Sequence, residues 1–492
     1  MENKKYSIAS AVIICIKCAP AATFVNIILN IISGVLAPIM VYVVAMFVDS
    51  AATLTLTSDE PHIKTLVFSV AAMVIWYTYN QLNPVLGRLL TKNTENKLRI
   101  KLRPLMIKKQ ASLDFELMEN DKTLDLITYV SQNAESKFMG VLSSFNTSIN
   151  LIVQITGILS ILFSYVWWVP VIFIFGAAPL IALSFRGGKA IYNSYKKVTV
   201  LTRMMNYLSD VLSSRESSAE RTLFGYTKAI DDKFRETHLK RSNLNTKTIA
   251  MEETRSNAFG MILNVFVIIA VFAMIGQVAD KTITIGLYIS ITGAMINLVK
   301  VLSSALAQLV YDLSENIEYF KDFTKFFALS GSINEQSSFD VLEYTKSNTQ
   351  FEEMTIKNLW FKYKDTDDYV LKGINLHIEK DKSYSLIGRN GAGKSTLTKI
   401  ITGLYKDFEG EIIINGRNIK EYSLSELRDI FSVVYQDYAK YYISLLDNIT
   451  FGVDSADFDK LAEIVELDGV IDKLPSGAKN PLGKIFDNGM DV

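Results

Sequence analysis

Cysteine is almost missing from this chain. Cys15 and Cys18 are the only two in 492 residues, so no disulfide framework holds it together. The pair reads C-x-x-C, but no βαβ pattern for a redox site and no second pair of zinc ligands lies near it. It reads as two small apolar residues. The three histidines, His62, His238 and His377, are scattered, which disfavours a histidine-based metal centre. An excess of either charge is missing too: Lys+Arg and Asp+Glu are both 51. The basic surplus expected of a nucleic-acid binder is therefore absent.

Apolar residues are plentiful. The chain is 49% hydrophobic and 21% charged, with mean hydropathy +0.21. Such values argue against disorder and for segregation into very apolar and charged stretches. The length suggests two or more domains. Runs long enough to cross a bilayer, which takes roughly 20 helical residues, occur at about 21–48, 65–87, 141–164, 166–185, 258–279 and 284–311. The second run is the weakest, because Asn80, Gln81 and Asn83 interrupt it. Before the first run, Lys4, Lys5 and Lys17 flank an apolar segment that reads as an interfacial helix rather than a cleaved signal.

Loop charge sets the orientation. Residues 88–137 carry Arg88, Lys92, Lys97, Arg99, Lys101, Arg103, Lys108 and Lys109. Residues 186–255 carry Arg186, Lys189, Lys196, Lys197 and Arg203, among others. Both read as cytoplasmic, and both are poor in Pro and Gly, as helical extensions of the spans would be. Each pair of extensions needs a sharp reversal, expected at Leu113–Asp121 and Leu212–Phe224. The remaining connections, at 49–62, Tyr165–Trp168 and Asp280–Lys281, read as external.

The polar tract 330–350 separates this region from a different pattern. Strands are expected at Met354–Ile356, Ile374–Ile378 and Glu411–Ile414, and helices at Ser395–Leu404 and Ser425–Phe431. The reading is an all-α six-helix transmembrane domain at 1–329, a linker at 330–350, and an α/β phosphate-loop domain at 351–492.

The sharpest motif is Gly388-Arg389-Asn390-Gly391-Ala392-Gly393-Lys394-Ser395-Thr396, which fits G-x-x-x-x-G-K-[ST]. An apolar segment, Ser383–Ile387, precedes it as an expected buried strand, and a helical pattern follows. Gly388, Asn390, Gly391 and Gly393 let backbone N–H groups face phosphates, with Thr396 in the first helical turn. Lys394 reaches the β/γ-phosphates and Ser395 ligates Mg²⁺. ATP and Mg²⁺ are the expected cofactors.

Phe361-Lys362-Tyr363 lies upstream and Val433-Val434-Tyr435-Gln436-Asp437 downstream. With these the whole chain resembles the ATP-binding cassette (ABC) transporter family, as an exporter-type half-transporter. The resemblance implies that Tyr363 stacks on adenine, a contact worth about 1–3 kcal/mol; packing in the core is the alternative. It also implies that Gln436 belongs to the Q-loop, touching Mg²⁺ or the attacking water; a surface turn is the alternative. The two cytosolic tips become coupling helices docked on nucleotide domains near Gln436. A second half-transporter, the same or different, is the implied partner, in the cytoplasmic membrane.

The sequence to Val492 contains no L-S-G-G-Q signature, no Asp-Glu at the end of an apolar strand after Lys394, and no switch histidine. By the resemblance, this chain alone is expected to bind ATP without hydrolysing it. Two readings stand: part of an ordinary ATP-driven exporter, or a truncated regulatory or non-hydrolysing nucleotide-binding subunit acting with an intact partner. The segment LPSGAKNPLGKIFDNGMDV is similar to that region of bacterial peptide and lantibiotic exporters, so a peptide cargo is implied while drugs and lipids stay open. Spans begin by about residue 21, so leader cleavage by this chain is not expected. Asn80, Gln81, Asn150, Gln154, Asn264, Asn297 and Gln308 are candidates for the cargo cavity or for interhelical hydrogen bonds.

Overall fold

The computed structural model describes residues 5–54, 60–214, 217–329, 350–364, 366–436, 438, 441–451 and 458–483. Helices begin where the sequence offers a start signal. Ser7 and Ser10 form a capping box at α1 (Ile8–Cys18), and Pro20 opens α2 (Pro20–Leu54), a position that needs no N–H. α3 (Glu60–Ala111) is followed by the short α4 (Phe115–Glu119). Asn120 then accepts the Thr123 N–H at the head of α5 (Asp121–Tyr165). After α6 (Trp168–Ser213), α7 (Ser218–Phe224) stops at Gly225, where φ is +64°. α8 (Thr227–Ala279) leads to Thr284, which caps α9 (Ile285–Lys300). A π-helical turn, Val301–Leu306, connects α9 to α10 (Ala307–Ala328). Each side-chain cap is worth about 1 kcal/mol.

By length and composition, five helical runs can cross a membrane: α2, α5, α6, α8 and the stretch from α9 through α10. The expected second span at 65–87 does not reach that standard, because polar residues from Tyr77 to Pro84 dilute its apolar run. α3 nevertheless lies along α2, where the Tyr79 hydroxyl donates to the Leu29 carbonyl at 2.7 Å. Much outward surface is apolar: Ile75, Phe175 and Phe272 are all mostly exposed. Lipid covers such a surface at no cost in hydration.

Two cores follow one another along α5. One joins it to α6, α8 and α9 through Ile158, Leu162, Phe173, Met274, Ile291 and Leu298. The other is aromatic and joins α1, α3, α5 and α10. Phe138 stacks edge-on against Phe320 and Phe323 at 5.0 and 5.4 Å, and Tyr319 meets Phe320 at 5.4 Å. Each such pair adds about 0.5–1.5 kcal/mol to plain burial. Where α9 meets α2, a Cβ on Gly286 would sit 2.3 Å from the Ala45 carbonyl oxygen, so only glycine fits. Its N–H donates to Asp49 Oδ1 at 2.8 Å.

The 330–349 part of the expected linker lies outside the described residues. Beyond it come β1 (Glu353–Phe361), β2 (Leu371–Glu379), α11 (Lys394–Ile401), β3 (Glu409–Ile414), β4 (Arg417–Asn418) and α12 (Leu424–Ile430). Short helices α13 (Leu445–Thr450), α14 (Phe458–Ile464) and α15 (Asp468–Ile471) follow. The strands form one antiparallel sheet in the order β2-β1-β3-β4, with Ile356 opposite both Leu376 and Ile412. Met354, Ile356, Ile412 and Ile414 are buried in one core with Leu397 and Ile400 of α11.

Strands stand where the sequence places them at 354–356, 374–378 and 411–414. The expected buried strand at 383–387 is not formed: the segment joins no sheet among the described residues and Ile387 is 93% exposed. The apolar segment 433–435 behaves alike, with Val434 91% exposed. A strand needs a neighbour to take its N–H and C=O groups. Among the described residues, neither segment has one.

Candidate nucleotide site

The G-x-x-x-x-G-K-S loop runs into α11. Gly391 and Gly393 hold φ of +82° and +86°, the left-handed region that favours glycine. Gly393 is fixed on both counts, since an added Cβ would meet Leu371 Cδ2 at 2.7 Å. Gly391 has open space before it, and 388–391 are exposed. Lys394 Nζ folds back and donates to the carbonyls of Gly388 and Arg389 at 2.8 and 2.9 Å. The ammonium thus sits beside the loop backbone, at the N-terminal end of α11. That end favours anions through unpaired N–H groups and the helix dipole.

This arrangement fits a nucleotide triphosphate: an exposed glycine turn, a cation held over it and a helix start behind it. Ser395, on the first turn of α11, and Gln436 offer two oxygen ligands. That is too few for Mg²⁺ alone and typical of a Mg²⁺ carried in with phosphates. Gln436 is exposed at the end of the 431–436 segment and makes no hydrogen bond to the loop among the described residues. Its neighbour Asp437 lies outside them.

Tyr363 is half-buried. Its ring meets Phe361 at 5.3 Å and Tyr405 at 5.7 Å, both nearly edge-on. Its hydroxyl is 2.9 Å from Thr396 Oγ1 on α11. The side chain is therefore tied to the loop helix and to the core at once.

The resemblance places the first tip on a nucleotide domain, but the residues that make the contact were not legible in the sequence. α4 docks on α11 and Tyr405. Lys399 Nζ donates to Glu119 Oε1 at 2.5 Å and lies 5.0 Å over the Phe115 ring. Phe115 meets Tyr405 edge-on at 5.8 Å, and the Tyr405 hydroxyl donates to Glu119. Lys364 pairs with Glu116 at 3.6 Å. Lys399 and Glu119 are 280 residues apart in sequence, so no local pattern announces the contact. The described contacts of this tip are with Lys364, Lys399 and Tyr405, rather than with Gln436 as expected. The second tip differs: Leu223 and Phe224 on α7 are 78% and 70% exposed, and residues 215–216 of the tip lie outside the described set.

Of the polar residues inside spans, Asn150 donates to the Asn30 carbonyl at 2.9 Å, an interhelical bond. Gln308 donates to Asp312 at 2.8 Å on its own helix. Lys300 was missed by the sequence reading, though a lone cation within a run of that length is itself a signal. It is exposed at the edge of the π-helical turn. Cys15 is buried in the aromatic core, and burial, with Cys18 adding, pushes its thiol up to about 12. Such a thiol is unreactive.

A glycine loop capped by a lysine, set in a sheet-and-helix domain behind several membrane-length helices, defines a multi-pass membrane protein with a cytoplasmic nucleotide-binding domain. The family model described as ABC transporter matches residues 371–481. That stretch carries an ABC transporter domain, and the chain resembles exporter half-transporters in placing membrane-length helices before it. It is 23% identical over 445 residues to the subtilin transport ATP-binding protein SpaT of Bacillus subtilis, covering 90% of this chain and 70% of that protein. It is 24% identical over 390 residues to the ATP-dependent lipid A-core flippase of Photobacterium profundum, covering 77% and 63%. The chain thus spans about two thirds of the length of these relatives. The structure of a bacterial Atm1-family ABC exporter with ATP bound shares the fold, with TM-score 0.71 and 15% identity, over 95% of this chain and 80% of that one.

Proposed function

We propose that this chain is one half of an ATP-driven exporter of the plasma membrane. Residues 1–329 form its membrane part, 330–350 the linker and 351–492 the nucleotide-binding part. The observation that carries the reading is the short α11. It bears Lys394 at the loop end and, about one turn and a half later, Lys399 against α4 of the membrane region. A change of charge at the loop is thereby felt directly by a helix joined to α3 and α5.

In this reading the loop N–H groups and Lys394 hold the β/γ-phosphates, and Ser395 with Gln436 completes the Mg²⁺ shell. Tyr363 stacks on the base. Gly388, Asn390, Gly391, Gly393 and Thr396 shape the cradle. Turnover also needs a group that orients the attacking water. ATP binding is the step that the loop residues themselves support. A second half-transporter provides the second nucleotide domain, and the exposed α7 docks on it. The regulatory-subunit reading differs only in that this partner alone hydrolyses ATP.

For cargo, the similarity to a subtilin transport protein supports a peptide and the similarity to flippases supports a lipid. The similarity of the closing segment to peptide exporters favours the peptide, although 484–492 lie outside the described residues. The test is photolabelling of the chain in membrane vesicles with an azido-ATP. Mg²⁺-dependent labelling that unlabelled ATP competes away is expected. Labelling unaffected by Lys394→Ala would contradict the site.

A further inference from the structure

Between α4 and the nucleotide-binding region lies an open cavity of about 440 Å³. That is the size of small-molecule sites, about 300–1,000 Å³. Its lining comes from both sides: Glu116, Glu119, Asn120 and Asp121 from the first tip, and Tyr363, Lys364 and Tyr405 from the other. Tyr363 joins this cavity to the phosphate loop through its bond to Thr396. A nucleotide with its phosphates at Lys394 and its base on Tyr363 would lie against this cavity, which the first tip lines.

The three carboxylates of the lining differ. Glu119 is engaged by Lys399 and Tyr405, and Glu116 by Lys364. Asp121 is exposed at the start of α5, and among the described residues its side chain has no hydrogen bond or ion pair. A carboxylate only accepts hydrogen bonds. It suits an edge that carries an N–H donor and repels one that carries an oxygen. It also repels phosphates, which keeps the triphosphate at the loop end.

We infer that Asp121, on the membrane region's first tip, accepts a hydrogen bond from the 6-amino group of the bound adenine and sets the base preference of the site. This rests on the ATP-binding reading above. It makes the tip a wall of the nucleotide site as well as a lever resting on α11.

ATP and purine riboside triphosphate differ at this edge only in the 6-amino group, which the latter lacks without gaining a donor at N1. The experiment compares their dissociation constants by calorimetry on the full chain in lipid nanodiscs. The wild type should prefer ATP by about tenfold or more, as expected for a hydrogen bond to a charged acceptor. Asp121→Ala should bring the two within about twofold, mainly by weakening ATP. Asp121→Asn retains a carbonyl acceptor and should recover part of the preference. Glu116→Gln, at the carboxylate held by Lys364, should leave it unchanged. An undiminished preference in Asp121→Ala would overturn the inference while leaving the ATP reading intact. So would loss of both nucleotides from a variant with wild-type melting temperature, since the carboxylate would then hold something other than the base edge. Absence of ATP binding by the wild type would overturn the ATP reading and this inference with it.

Discussion

The two cytosolic tips are both short helices at the reversal between long ones, yet they end up in opposite circumstances. α4 is covered: Phe115 and Glu119 are engaged by Lys399 and Tyr405 of the same chain. Among the described residues α7 has no such cover, and Leu223 and Phe224 point their apolar surface outward. Arg221 still holds α7 to its own hairpin, donating to the Val211 and Leu212 carbonyls. An apolar pair on a cytosolic tip is normally a contact surface. The comparison teaches that, among the described residues, the chain closes one tip onto its own nucleotide region and leaves the other uncovered.

The largest effect should come from cutting the link at its loop end. Lys394→Ala should weaken ATP binding by about 3 kcal/mol, the upper range for hydrogen bonds to a charged group. Calorimetry on the chain in nanodiscs measures it, and the fold should be unaffected because the half-buried Lys394 donates to carbonyls of the exposed loop rather than packing in the core. Next comes the first tip. Phe115→Ala removes a ring contact and a cation–π contact, and should cost about 1–2 kcal/mol of docking. Faster amide exchange across 113–121 would report it. The matching change at the other tip, Phe224→Ala, should shift the stability of a single chain by less than about 0.5 kcal/mol. It should instead reduce dimer recovery in crosslinking, and an equal loss of stability at both tips would erase the contrast.

Glu119→Gln should have a smaller effect, about 1 kcal/mol or less, since the pair is partly exposed and screened. Tip protection in the wild type, but not in this variant, should therefore fall as salt rises. The smallest effect is acidic. The carboxyl of Glu426, in the capping box of α12, is held down at about 2 chiefly by the Ser423 N–H and hydroxyl, then by Arg417. Its unfolded value is about 4.3. The folded value is the lower one, so its contribution is complete above about pH 4.3 and is lost as pH falls towards 2. Arg428 of α12 lines a cavity shared with α4. Acid should thus loosen the first tip before the second, and Glu426→Gln should flatten that difference in exchange measured from about pH 6 to 3.

Sequence reading reached the features that depend on local chemistry. The loop was legible because Gly388, Gly391, Gly393 and Lys394 stand at fixed spacing, and the reason is backbone conformation at two of them. Strands at β1, β2 and β3 were legible from their alternation. What failed was whatever depends on a distant partner. Ser383–Ile387 has strand composition but no neighbour to pair with among the described residues. The α3 helix is set by packing on α2 rather than by its own hydropathy. The π turn at Val301–Leu306 leaves no mark in residue type. The α4 dock on Lys399 and Tyr405 joins positions that no periodicity relates, and so the sequence could place Asp121 at a tip but not beside Tyr363.

The central claim is that the phosphate loop and the first tip form one mechanical unit within a single chain. The direct measurement is amide hydrogen exchange of the chain in nanodiscs loaded with one copy each, with and without Mg-ATP. Protection should appear at 388–397 and at 113–121 together, with 218–224 unchanged. Protection at 388–397 while 113–121 stays as it was, or a response at 218–224 in its place, would contradict the account.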